Sequence, residues 1–228
     1  MFRKKTKTTL KFITKESPVF AEVMSPRTHD WPDWWRNLKE QNMSTMKSCP
    51  GFVDLLRETI SVPLWRDYEI TYTDKIEYIE VPGVTTPEYG AEFFEYHPSE
   101  QYGNNFSNYI HVKLKTPWIT RCNDNTRFLM SDAVWHRQNF ESFRVLTGQL
   151  EFRYQHGSHV NIFIPKSTTQ KTLVLTAGTP ICYLTPLTDR PVEIEILQET
   201  PTQWYNYLTS PISFRGSYDK LKKLARKR

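Results

Sequence analysis

The chain has 228 residues, 38% of them hydrophobic, and no apolar run approaches the roughly 20 residues that a bilayer span needs, so it reads as soluble, with no membrane partner. Its first residues, MFRKKTKTTLKF, lack the apolar stretch of a secretory signal, which points to the cytoplasm, or to the host cytoplasm or a virion if the protein is viral. Three cysteines (Cys49, Cys122 and Cys182) stand far apart without a CxxC spacing, excluding a disulfide framework and a cysteine zinc site.

The net charge of +5 belongs to the ends. Residues 1–15 carry six basic side chains (Arg3, Lys4, Lys5, Lys7, Lys11 and Lys15) and no acidic one, and residues 217–228 carry six against Asp219. The two ends thus hold +6 and +5, which leaves −6 for the body. A folded basic face is therefore not what raises the pI, and nucleic acid is expected to be met through the basic tails only. The chain divides into a basic N-terminal arm (1–15), a single β-rich domain (16–216) and a basic C-terminal tail (217–228).

In chain order, Thr9 to Ile13 and Val19 to Val23 read as short extended segments broken by Ser17-Pro18 and Ser25-Pro26. Asp30 or Pro32 is placed to open a short helix carrying Trp34, Trp35 and Leu38. Its tryptophans, with Trp31, read as an anchor that clamps a surface helix onto the sheet rather than as a ligand-stacking site. Met46 to Leu56 is the second helical candidate, with Pro50 near its start. Strands then dominate: Asp67 to Thr73, Lys75 to Val81, a loop from Pro82 to Glu100, and the alternating YIHVKLK of Tyr109 to Lys115. Further short strands fall at Trp118 to Thr120 and Thr126 to Met130, and a short helix near Gln203 to Leu208 precedes the tail.

Phe143 to Ile196 carries the strongest β signal, with runs of Val, Ile, Leu, Phe and Tyr broken at Thr147-Gly148, His156-Gly157-Ser158, Pro165 to Gln170 and Ala177-Gly178-Thr179-Pro180. Gly178 is expected at positive φ because the chain must reverse or offset there between two apolar strands. The fold class is mainly β, antiparallel and barrel- or β-clip-like, with one or two short N-terminal helices and basic terminal arms.

Candidate chemistry gathers in two places. The cluster His97-Pro98-Ser99-Glu100-Gln101 lies in a polar loop, where sites on β scaffolds tend to sit. His97 and Gln101, with Glu151, are the catalytic candidates, Glu151 pairing with His97 or His111 for acid/base work. Tyr154, His156 and His159 are the ligand-binding candidates. On a regular strand His156 and His159 point to opposite faces, so only a bend at Gly157-Ser158 brings them together. A third ligand from His136, His111 or His97 would leave a divalent metal open, and no other cofactor is expected. Asp54 and Asp67 read as hydrogen-bonding groups at a helix-to-strand junction.

Four pieces in fixed order resemble a family of uncharacterised bacterial and tailed-phage proteins, a domain of unknown function. They are Pro32 to Trp35; Lys47-Ser-Cys-Pro-Gly-Phe-Val-Asp54 with Val62-Pro-Leu-Trp-Arg-Asp67; His97-Pro-Ser-Glu-Gln101; and Lys115-Thr-Pro-Trp118 with Gly178-Thr-Pro-Ile181 and Pro186. Residues 143–196 also resemble the β-clip fold of trimeric dUTPases, in the rhythm of Gly148-Gln-Leu-Glu151-Phe-Arg-Tyr154 and Gly178-Thr-Pro-Ile181-Cys-Tyr183. Glu151 stands there for the aspartate of that hairpin, and Cys182-Tyr183 for its Ala-Gln pair. These resemblances imply a phage-type accessory protein that binds a protein partner or small polar ligand, with a homo-oligomer left open. The alternative they imply is an enzyme acting on a nucleotide or other small polar ligand in a barrel mouth.

Overall fold

A computed structural model describes residues 7–39, 45–83, 93–137, 141–153 and 159–208. The chain opens with β1 (Thr8–Thr14), α1 (Pro18–Val23), β2 (Arg27–Thr28), α2 (Asp33–Asn37) and α3 (Pro50–Glu58). Strands β3 (Ile60–Pro63), β4 (Tyr68–Tyr72), β5 (Ile76–Glu80), β6 (Phe94–His97), β7 (Tyr109–Leu114), β8 (Ile119–Cys122) and β9 (Phe128–Asp132) follow. The last part holds β10 (Arg144–Val145), β11 (Gly148–Leu150), β12 (Val160–Pro165), β13 (Lys171–Leu175), β14 (Pro180–Pro186), β15 (Val192–Gln198) and α4 (Pro201–Leu208).

The strands form four sheets, ordered β15-β1-β8, β10-β12-β7-β6, β11-β9-β14-β3-β2 and β13-β4-β5. Every pairing is antiparallel except β1 with β15, which runs parallel from Thr8 opposite Val192 to Thr14 opposite Gln198. The mainly β, largely antiparallel class is thereby established. Among the described residues no sheet closes on itself, so the barrel is a finer statement than this pairing makes. In the β-clip comparison the later strand pairs beside the hairpin; here β9 lies between β11 and β14.

Several expected elements change character. Val19 to Val23 is helical, not extended: Ser17 is the N-cap, its Oγ accepting from Phe20 N at 3.2 Å, and Pro18 sits at the first helical position. Both residues are turn formers by composition but here start a helix. The expected loop from Pro82 to Glu100 contains β6, which pairs with β7 from Phe94 opposite Leu114 to His97 opposite His111. The expected N-terminal arm is in part a core strand, since Leu10, Phe12 and Ile13 are buried. Of its basic residues, Lys7 pairs with Glu193 and Lys11 with Glu195 at 3.0 Å. The tail at 217–228 lies outside the described residues.

The main core is joined by a smaller cluster of Phe52, Leu56, Ala133 and Tyr183. Phe12 and Phe20 pack on the fully buried Trp118, at 6.2 and 5.9 Å between ring centroids, while Ile162, Ile164, Val112 and Leu114 come from one face of β12 and β7. Burying each such aliphatic side chain contributes about 1.5–3 kcal/mol. Leaving the core, the chain crosses from β13 to β14 at Ala177-Gly178-Thr179. These strands do not pair with each other: β13 joins β4, and β14 joins β3 and β9. The turn is thus an offset between sheets. It is fixed by Asp67 Oδ1, which accepts from Ala177 N at 2.7 Å, and by two main-chain bonds to Leu64.

Gly178 has φ +81°, and an added Cβ would meet nothing within 4 Å. The cost of a side chain there is backbone strain and not a clash. Gly178→Val is expected to lower stability by about 1–3 kcal/mol, and Thr179→Ala by much less. Paired urea melts check this: equal midpoints for wild type and Gly178→Val would contradict the strained turn.

Candidate functional site

The four-stranded sheet β10-β12-β7-β6 has two unlike faces. Side chains alternate along a strand, and Val160, Ile162 and Ile164 of β12 with Val112 and Leu114 of β7 are all but inaccessible in the core. Register therefore places His159, Asn161 and Phe163, with Tyr109, His111 and Lys113, on the opposite face, joined by Glu95 and His97 of β6 and Arg144 of β10. Phe163 lies opposite His111, and His111 opposite His97, in a single row across the sheet.

At one end of this face the two histidine rings stack, with centroids 4.5 Å apart and planes 23° from parallel. His97 Nδ1–H donates to Gln101 Oε1 at 2.6 Å, and His111 Nε2–H donates to Asn161 Oδ1 at 3.1 Å. An amide oxygen can only accept, so each bond fixes a tautomer. The lone pairs fall on His97 Nε2 and His111 Nδ1, both of which are buried without a hydrogen-bond partner. Burial holds His111 below its ordinary pKa, against the pull of the Asn161 bond. Around the pair stand aromatic rings: Tyr102, Phe106 and Tyr109 surround the buried Phe163 at 5.6, 5.1 and 5.6 Å.

The other end of the face is charged. Glu95 accepts from Lys115 at 2.7 Å and Lys113 at 3.1 Å, and these bonds, the one to Lys115 foremost, push its carboxyl down to about 2. His159 lies beside this group. Burial pushes it down to about 4, with Lys113 acting in the same direction, and its Nδ1 has no hydrogen-bond partner.

The structure thus brings His97 and Gln101 into contact and sets His159 on the same face, about four residues farther along the sheet. Glu151 follows β11, in the five-stranded sheet, and is 9% exposed. His97 and His111, the partners proposed for it, are carried by β6 and β7 of the four-stranded sheet. Tyr154 and His156 lie outside the described residues. Among the described residues no group of three or more His, Cys, Asp or Glu side chains is arranged to hold a metal ion.

A second constellation sits under the tryptophans. Trp31 stacks on Trp35 at 5.0 Å, and Trp34, Trp35 and Trp135 enclose Phe52 of α3 at 5.6, 5.1 and 4.7 Å. Beneath them Asp30 accepts from Ser61 Oγ at 2.8 Å and lies 3.7 Å from His136 Nε2, while His136 Nδ1 meets the Tyr183 hydroxyl at 2.7 Å. His136 is lowered by burial against the attraction of Asp30, and Tyr183 is raised by burial. With side-chain exposures of 8% for His136 and 12% for Asp30, this network works as a clamp from the N-terminal segment onto β3 and β14. Asp67, expected at a junction, caps the Gly178 turn, and Asp54 pairs with Arg57 within α3.

The chain matches no protein-family model, and no curated protein matches it in sequence.

His159 makes the face sensitive to acid. Its folded pKa lies below the unfolded value, so the unfolded chain takes up the proton first as pH falls. Its stabilising effect is complete above about pH 6.5 and is lost by about pH 4, on the order of 2–3 kcal/mol. The Glu95 contribution is present above about pH 4.5 and is lost as pH falls through about 2. Urea midpoints at pH 7, 5.5 and 4.5 are expected to fall less steeply in His159→Gln than in wild type. Parallel curves would contradict the buried, uncharged His159.

Proposed function

We propose that the protein acts by binding, and that the outer face of β10-β12-β7-β6 is its recognition surface for a planar, polar ligand or partner group. The observation that carries this reading is the stacked His97 and His111 pair, fixed by Gln101 and Asn161 and ringed by aromatic side chains on a face the core does not need. On this face His111 packs against Phe163 and both lysines pair with Glu95, yet among the described residues one buried ring nitrogen of each of His97, His111 and His159 has no hydrogen-bond partner, which packing alone does not explain. A ligand flanked by those rings would gain stacking, and the amide NH₂ groups of Asn161 and Gln101 remain as donors once their oxygens are committed.

Catalysis has less support. Among the described residues the face shows no nucleophile with an adjacent base, and Glu151, the carboxylate expected to serve His97, follows β11 of the five-stranded sheet. The phage-type accessory role rests on the resemblance in Pro32 to Trp35, Lys47 to Asp67, His97 to Gln101 and Lys115 to Trp118. The barrel- or clip-like reading rests on the rhythm of residues 148–183, although β9 separates β11 from β14.

The test is a thermal-shift panel of nucleotides, other planar anions and divalent metals on wild type and His111→Ala. A ligand of this face should raise the melting temperature of wild type as RT ln(1 + [L]/Kd), with most of the shift lost in His111→Ala. A flat panel, a shift that survives in His111→Ala, or turnover of a stabilising ligand would each contradict the proposal.

A further inference from the structure

We propose that the partner of this face is single-stranded nucleic acid, its bases stacked at the aromatic end and its phosphates directed toward Lys113, Lys115 and Arg144. The inference rests on the reading of the outer sheet face as the binding surface and adds the class of ligand. The aromatic end is a preformed platform. Phe163 is 6% exposed and forms its floor, Tyr109 stacks on it with planes 21° apart, and Phe106 stands over it with 43% of its surface open to solvent. A base that is already unpaired can lie against such rings, whereas a base inside a duplex offers only its edge.

Spacing and charge suit the same occupant. Successive outward residues on β7 are about 7 Å apart, so His111, Lys113 and Lys115 step from the rings to the cations along one strand. Arg144, Lys113 and Lys115 stand on this face with Glu95, whose single carboxylate both lysines share. This differs from the body as a whole, whose net charge is −6 once the two ends are set aside. The NH₂ groups of Gln101 and Asn161, beside the ring pair, are donors suited to base carbonyl oxygens. The six basic residues of the C-terminal tail, with Arg3, Lys4 and Lys5, then supply sequence-independent attraction to phosphate, and the face supplies the preference for single strands.

The experiment is fluorescence anisotropy of the full chain with labelled 12-residue oligo(dT) and oligo(U), a duplex of the same length, and unlabelled dTMP and UMP as competitors. Three variants are compared with wild type: Phe106→Ala, Phe106→Ala with Tyr109→Ala, and a chain with Lys220, Lys222, Lys223, Arg226, Lys227 and Arg228 all changed to Gln. Wild type should bind single strands at least tenfold more tightly than duplex. Phe106→Ala alone should weaken single-strand binding severalfold, and the double variant about tenfold or more, with the salt slope unchanged. The Gln variant should lower the salt slope and keep the single-strand preference. Melting curves of the variants confirm folding, and Phe106 is exposed enough for its single variant to serve alone. Binding abolished in the Gln variant but unaffected by Phe106→Ala would overturn the inference in favour of the tails. Equal binding of duplex would overturn it as well, and displacement by UMP at equal nucleotide concentration would assign the face to free nucleotides. If no oligonucleotide binds while a small ligand still stabilises the wild type and not His111→Ala, nucleic acid is excluded and the binding face stands; if both fail, the face itself is excluded.

Discussion

The register between β7 and β12 decides which side chains share the candidate face. Val112 opposite Ile162, and Leu114 opposite Val160, seal one side of the sheet, which leaves His111, Lys113, Asn161 and Phe163 on the other. A slip of one residue would exchange the faces, sending a lysine and a histidine into the core and several aliphatic side chains into water. The cost of burying a lysine without a partner far exceeds the gain from any single outward contact. Core packing therefore fixes the site: the same alternation that excludes water from Ile162 aligns His111 with His97 and Phe163.

The N-terminal third is held by a different device. Its helices are short, and short helices have little stability of their own. They depend on tertiary contacts: four tryptophans with Phe52 on the outside, and the Asp30, Ser61, His136 and Tyr183 network beneath. The network joins Asp30, which precedes α2, to three residues of the β region that lie 31 to 153 positions later in the chain. Burial makes each member costly to leave unpaired, so the segment has one well-defined way to dock.

Much of this was legible in the chain. The strict alternation of YIHVKLK gave β7 its strand and both its faces, and the β-rich run after Phe143 gave the class. The glycine at 178 was readable because the chain had to leave one strand and enter another within a few residues, and its φ is +81°. The loop cluster was also readable in part: His97 and Gln101 do meet. What the chain concealed was long-range. Nothing local ties His97 to His111, because their neighbourhood depends on β6, a four-residue strand inside a polar stretch. Asn161 had no such signal, because the apolar run Ile162-Phe163-Ile164 beside it obscures which side chains of β12 face away from the core. Ser17-Pro18 served as punctuation in both readings, but a capped helix follows it where an extended segment was expected.

The central claim is that strand register presets the His97 and His111 pair, with opposite ring nitrogens carrying the proton. Long-range ¹⁵N–¹H correlation spectra of the histidine rings at about pH 8, where an ordinary imidazole is uncharged, report this directly. The account predicts the proton on Nδ1 for His97 and on Nε2 for His111, with Gln101→Ala releasing the first and Asn161→Ala the second. The same tautomer on both rings, or spectra unmoved by either substitution, would contradict it.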